Sequence, residues 1–190
     1  MVLLINACVR SQSRTKRLAD ELMKKLVGPV REVRLWEIDM PLVDEAFIQK
    51  REELVNQGAF DSPVLALAKE FAAADTIVIA APFYDLSFPA LLKQYLEQVC
   101  VIGITFDYGP DGNAAGRCKA SSLYYVTTAG GTFFPAEYGF GYVKALAQNF
   151  YGIPDVQLIK AVGFDIEGAD EAQILREAIE NIHAMDIKKQ

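Results

Sequence analysis

Thr76-Ile77-Val78-Ile79-Ala80-Ala81 runs directly into Pro82-Phe83-Tyr84-Asp85-Leu86-Ser87-Phe88-Pro89. The first six residues are apolar or β-branched with no alternation, the pattern of a strand buried on both faces. Such strands sit in the middle of parallel sheets, because helical crossovers cover both sides. Pro82 stops the strand and Pro89 opens a helix carrying Leu92, Tyr95, Leu96 and Val99 at helical spacing. Between them lies a loop stiffened by two prolines and rich in aromatic and apolar side chains.

Outward from this stretch the same alternation continues. Val2–Ile5 is another continuous apolar run, followed by Leu18, Leu22 and Leu26 four residues apart. Gly28-Pro29 ends that helix. Val30–Trp36 mixes Val30, Val33 and Leu35 with Arg31, Glu32 and Arg34 and reads as a more exposed strand nearer the sheet edge. Residues 37–60 read as a loop with a short helix over Ile48–Val55, and Ser62-Pro63 opens a further helix. Gly103–Lys119 is Gly-rich and polar and reads as a long loop. Ser122–Thr128 and Val156–Val162 are strands; Tyr138–Phe150 and Asp170–Met185 are helices. Five strands and about five main helices in alternation predict an α/β fold, a doubly wound parallel sheet, in one domain spanning residues 1–190.

Composition narrows the chemistry. The chain has 190 residues, 52% of them hydrophobic, with a formal charge of -6 that argues against general nucleic-acid binding. No apolar run approaches membrane-spanning length. The opening run is too short for a signal peptide, and three cysteines without CxxC spacing read as reduced thiols of a cytoplasmic protein. A single histidine, His183 in the last helix, leaves no His-rich metal site and makes a nucleophile–histidine pair hard to build, so no metal ligands are assigned. Demanding chemistry would have to come from a cofactor.

In a doubly wound sheet ligands bind past the carboxyl ends of the strands, where the strand order reverses. Three loops there have unusual compositions. Arg10-Ser11-Gln12-Ser13-Arg14-Thr15-Lys16-Arg17 leads into a helix N-terminus with hydroxyls and cations, a phosphate socket in outline. Ser11 or Ser13 as a plain N-cap among solvated arginines is the simpler reading of that loop alone. Pro82–Pro89 offers a rigid apolar wall, although its aromatics would serve equally to cap the core. Thr127-Thr128-Ala129-Gly130-Gly131-Thr132 allows close backbone approach, or is an ordinary strand-exit turn. Together the three describe a site of mononucleotide size.

Pro82-Phe83-Tyr84-Asp85-Leu86-Ser87-Phe88-Pro89-Ala90-Leu91-Leu92-Lys93 resembles the P-[ML]-Y-N-F-x-x-P-A-x-L-K segment of the flavodoxin-like, FMN-dependent NAD(P)H oxidoreductases, the azoreductases and quinone reductases. The resemblance continues through Gly103–Tyr108 and through Thr127-Thr128-Ala129-Gly130-Gly131. It implies a flavodoxin-like five-stranded sheet of order 2-1-3-4-5, non-covalent FMN, NAD(P)H as co-substrate, a small-molecule acceptor (a quinone or azo compound) and ping-pong two-electron transfer. It also implies a homodimer with shared active sites.

By that resemblance Ser13 and Thr15, with Arg10 or Ser11 nearby, would hold the phosphate. Pro82, Phe83, Tyr84, Asp85 and Leu86 would line the ring and ribityl chain. Thr128, Ala129, Gly130 and Gly131 would contact the ring edge. Tyr84 or Tyr108 would donate a hydrogen bond to the reduced acceptor, and Phe106 and Tyr108 would cover the neighbouring subunit's flavin. Asp85 stands where the family usually has Asn; its charge near the flavin would lower the potential. A flavodoxin-type electron carrier and a flavodoxin-like regulatory or redox-sensing subunit are the alternative functions.

Overall fold

The computed structural model describes residues 1–187. Its strands are β1 (Val2–Asn6), β2 (Val30–Arg34), β3 (Thr76–Ala80), β4 (Phe106–Tyr108), β5 (Ala114–Gly116), β6 (Ser122–Ala129) and β7 (Asp155–Val162). Five of them form one parallel sheet, in the order β2-β1-β3-β6-β7. Strands β1, β3 and β6, the three inner ones, are buried along their whole length. The edge strand β2 exposes Val30, Arg31 and Arg34 and buries Val33, which is why its sequence mixes charge with apolar residues.

Side-chain alternation along each strand feeds two cores. Leu3, Ile5, Ile77, Ile79, Leu123 and Tyr125 point to one face and pack with Phe71, Tyr95 and Val143. These last belong to α3 (Ala66–Ala73), α4 (Ala90–Val99) and α5 (Phe140–Leu146). Val2, Leu4, Val78, Tyr124 and Val126 point the other way, onto Leu18 and Leu22 of α1 (Arg14–Met23) and Leu175, Ala178 and Ile182 of α6 (Glu171–Ala184). Burying a large apolar side chain is worth roughly 1.5–3 kcal/mol, so these two layers dominate the stability. The remaining helix, α2 (Glu45–Asn56), has no fully buried residue; Leu54 and Val55 pack on a small satellite cluster with Leu65 and Val101.

Helices α1 and α6 lie side by side and are tied at both ends. Lys25 Nζ donates to the carbonyls of Ile182, His183 and Met185 at 2.6–2.9 Å, closing the carbonyl end of α6. At the other end the Arg14 guanidinium makes two hydrogen bonds to Glu171, of 2.7 and 3.1 Å.

Two segments depart from the sequence reading. Gly103–Lys119 is not only a loop, for it contains the antiparallel hairpin β4–β5. Three-residue strands, one of them Ala114-Ala115-Gly116, are too short to show alternation. The helix expected over Tyr138–Phe150 is broken: a 3₁₀ turn (Ala136–Tyr138), then α5, then a π-type turn over Ala147–Tyr151. Gly139 and Gly141 weaken helix propensity there, and the Tyr138 carbonyl instead accepts the Ser87 hydroxyl at 2.8 Å.

The hairpin rises from the amino-terminal edge of the sheet. Lys119 N–H bonds to Ala72 at the end of α3, and Ser121 N–H to Asp75 just before β3. It rests on the π-type turn at Gly116, where an added Cβ would lie 2.1 Å from the Gly152 nitrogen. Overpacking against backbone costs about 1–3 kcal/mol. Gly116→Ala should therefore loosen the hairpin: amide exchange at Gly109 and Arg117, which bond across it to the Asn113 and Thr105 carbonyls, should speed up at least about tenfold while β1 and β3 keep their protection.

Candidate functional site

The chain leaves β1 toward β2 on one side and later enters β3 on the other, so the sheet reverses direction between β1 and β3. A cavity of about 570 Å³ opens past the carboxyl ends of the strands there. That lies within the roughly 300–1,000 Å³ usual for small-molecule sites. It is lined by Arg10, Ser11, Gln12, Ser13, Arg14 and Thr15 from the first loop and by Pro82, Phe83 and Tyr84 from the second. Thr128, Ala129 and Gly130 come from the end of β6, and Asp165 from the loop after β7.

The first loop ends at the N-terminus of α1. Ser13 caps the helix, its Oγ accepting the Lys16 N–H at 3.2 Å. The hydroxyl proton can still be donated, to the neighbouring Cys8 sulfur or to a ligand. The N–H groups of Ser11, Gln12, Arg14 and Thr15 meet no acceptor among the described residues. Helices α2 and α6 begin with Glu45 and Glu171 in their first turns; α1 has no acid there. Unpaired N–H groups, the positive end of the helix dipole and a basic first turn all call for an anion.

The cations are not equivalent. Arg14 is held by Glu171, donates to Asp165 at 3.0 Å and stacks 4.8 Å over the Phe164 ring. Arg10 has no carboxylate partner among the described residues and lines the cavity, so it is the cation at the disposal of a ligand. Thr15 is fully buried with its hydroxyl 2.6 Å from that of Thr128. This pair fastens the first turn of α1 to β6, and one of its two protons is left for a ligand.

The second loop is bent into a tight reverse turn. Tyr84 and Ser87 exchange backbone hydrogen bonds of 3.0 and 2.8 Å, and the two residues between them, Asp85 and Leu86, have φ of 49° and 68°. Both lie in the left-handed region that Gly or Asn normally occupies, the more unusual choice being Leu86. Strain of this kind gathers at binding sites. The Phe83 N–H bonds to the Thr128 carbonyl, and its ring packs 4.7 Å from Phe134, which fixes the apolar wall.

Of the residues singled out in the sequence, Arg10, Ser11, Ser13, Thr15, Pro82, Phe83, Tyr84, Thr128, Ala129 and Gly130 come together around this cavity. Asp85 and Leu86 sit at the exposed tip of the turn, outside the lining. Solvent there screens the Asp85 charge from the cavity. Gly131 is exposed and outside the lining, its carbonyl accepting the Gly163 N–H. Tyr108 belongs to the hairpin, and Phe106 is buried there against Phe150 and Tyr108. That hairpin springs from the opposite end of the sheet, so neither residue joins the cavity of its own chain. Asp165 was missed: nothing in Gly163-Phe164-Asp165 marks it, and only the register of β7 beside β6 brings it to Gly130.

The residues suit a flavin mononucleotide. One end of the cavity presents N–H and O–H donors with a free arginine, and the other presents Phe83, Tyr84 and Pro82, as a phosphate and a planar ring require. Comparison with known proteins points the same way. A family profile for the flavodoxin-like fold matches residues 1–185. This chain belongs to the flavodoxin-like fold family. Among flavodoxin-like relatives, the FMN-dependent NADH:quinone oxidoreductase 2 of Clostridium acetobutylicum is 34% identical over 185 residues, covering 92% of this chain and 91% of the relative. The FMN-dependent NADH:quinone oxidoreductase of Clostridium beijerinckii is 31% identical with the same coverage. An azoreductase structure from Bacillus anthracis superposes with a TM-score of 0.82 at 20% identity, covering 95% of both chains. An FMN-dependent NADH-azoreductase of the same species, solved with FMN, gives 0.76 at 22% identity, covering 95% of this chain and 94% of the other.

Cys8 lies just beyond β1, its Sγ 3.5 Å from the Ala80 carbonyl. Burial pushes its thiol up from 9.0 to about 11, partly offset by the Ser13 hydroxyl. Below pH 9 both folded and unfolded states hold the proton. As the pH rises toward 11 only the unfolded state loses it, so stability falls by about 2–3 kcal/mol. Cys8→Ala should flatten that part of the pH–stability curve measured by urea denaturation.

Proposed function

We propose that this flavodoxin-like protein is an FMN-dependent NAD(P)H oxidoreductase that reduces quinones or azo compounds by two electrons in a ping-pong cycle. The observation that carries the reading is one cavity with an anion-ready helix N-terminus at one end and the Phe83–Tyr84 wall at the other. The names of the relatives agree with it. When bound, FMN supplies the redox chemistry, taking a hydride from the nicotinamide and giving two electrons to the acceptor.

The protein's own part is binding and exclusion. The Ser13 hydroxyl, the N–H groups of Arg14 and Thr15, and Arg10 hold the phosphate, with Ser11 beside them. Pro82 and Phe83 press on the ring side and shed water from it, and the Thr128–Gly130 backbone closes the far edge. Tyr84 has no hydrogen-bond partner for its hydroxyl among the described residues, which leaves that proton for the acceptor's oxygen. Two rings held parallel and dry need little acid–base help, consistent with a chain that carries one histidine.

A homodimer with shared sites belongs to this reading. Leu86, Phe133 and Tyr138 are exposed on loops at the cavity's edge of the sheet, and a second copy is the occupant that would cover them. Tyr108, 55% exposed, would act in the partner's site rather than in its own. No helix among the described residues is long and apolar enough to cross a membrane. A cytoplasmic location fits reductive chemistry and three unpaired cysteines.

Purified protein should be yellow, bind one FMN per chain and bleach anaerobically on adding NADH or NADPH. Flavin that binds but stays oxidised would mark an electron carrier, and colourless protein that takes up no FMN would end the flavin reading. Ser13→Ala should cost about 1–3 kcal/mol of FMN affinity by fluorescence titration. Tyr84→Phe should keep its FMN but lose roughly 3- to 10-fold in kcat/KM for a quinone, a typical worth for one hydrogen bond.

A further inference from the structure

Asp165 is the single carboxylate lining the cavity among the described residues. A negative charge beside an anion socket has to be offset, and Arg14 does so through one carboxylate oxygen, leaving the other open. Two contacts fix its position. The Asp165 N–H bonds to the Gly130 carbonyl at 2.9 Å, and its Oδ1 accepts from Arg14 at 3.0 Å. Arg14 is itself aimed by two bonds to Glu171. The other oxygen, Oδ2, has no hydrogen-bond partner among the described residues, and it occupies the space that a side chain on residue 130 would fill, 2.0 Å from an added Cβ. Glycine at 130 thus makes room for the carboxylate.

The carboxylate lies against Gly130 at the end of β6 and is tied to the guanidinium of Arg14 from the head of α1, so it touches groups from both the ring-edge side and the phosphate side of the proposed FMN site. The stretch of FMN between those two ends is the polyol chain, which carries hydroxyl donors. The rest of the cavity is dominated by donors: Arg10, Ser11, Ser13, Thr15 and the free N–H groups. The polyol oxygens can accept from these groups, but the polyol protons need acceptors, and a carboxylate oxygen is the strongest one lining the cavity.

We infer that Asp165 is a positioning residue whose carboxylate accepts a hydrogen bond from the polyol chain of FMN, fixing the distance between phosphate and ring. The inference rests on the FMN reading above. Its test is a double comparison by fluorescence titration. Wild type, Asp165→Ala, Asp165→Asn and Glu171→Gln are titrated with FMN and with a flavin whose phosphate is carried on a plain five-carbon chain without hydroxyls.

The side chain of Asp165 is 69% exposed, so its variants should fold, as melting curves would verify. Asp165→Ala should weaken FMN about tenfold and the hydroxyl-free flavin less than twofold. Asp165→Asn, which keeps an acceptor oxygen, should fall between. Glu171→Gln loosens Arg14 from outside the cavity and should leave the ratio of the two affinities unchanged.

Equal weakening of both flavins by Asp165→Ala would reduce Asp165 to a support for Arg14 and overturn the inference. So would no weakening, or tighter binding of both through relief of charge repulsion. Wild-type protein that binds neither flavin would instead bring down the FMN reading itself, a result separable from these.

Discussion

A helix that starts with unpaired N–H groups and a basic first turn is electrostatically unfinished, and the architecture of this protein is arranged around that fact. The first turn of α1 sits at the point where the sheet reverses, which places its free donors over the crevice rather than against solvent. It is locked there from three directions: the Ser13 cap within the loop, the Thr15–Thr128 contact to β6, and Arg14 reaching Glu171 at the head of α6. Each fastening uses groups that would otherwise compete for the ligand, and each leaves Arg10 and the N–H groups uncommitted. An anion arriving at this position meets donors already oriented, so little ordering opposes its binding.

The same economy governs the apolar side. Pro82 and Pro89 restrict the chain at both ends of the second loop, and the left-handed turn at Asp85 and Leu86 folds its tip outward. Phe83 is thereby held inward, against Phe134 and beside the cavity. The loop is costly in backbone terms and cheap in entropy: its shape is settled before any ligand arrives.

How much of this could be read from the sequence follows from which interactions are local. Thr76–Ala81 and Val2–Ile5 announce central strands because burial on both faces leaves no polar position. The first loop is legible because cations before a helix stripe contradict the usual acid preference at that end. The three loops meet because parallel strands put all their carboxyl ends on one side. What stayed hidden was non-local or very short. Asp165 reaches the site through the β6–β7 register, which no spacing in the chain encodes. The hairpin's two strands have three residues each, and its position at the opposite end of the sheet follows from where α4 ends, not from the composition of Gly103–Lys119. The π-type turn after Leu146 came from packing against that hairpin, where Gly116 and Gly152 touch.

Helices α1 and α6 are bolted together at both extremities, Arg14 to Glu171 at one and Lys25 to the last carbonyls of α6 at the other. A pair joined in this way behaves as a beam rather than as two rods. Torque applied at the tail of α6 is delivered some ten residues of helix away, at the mouth of the crevice. The last turn of α6 therefore shares mechanically in the shape of the crevice, although none of its described residues lines it.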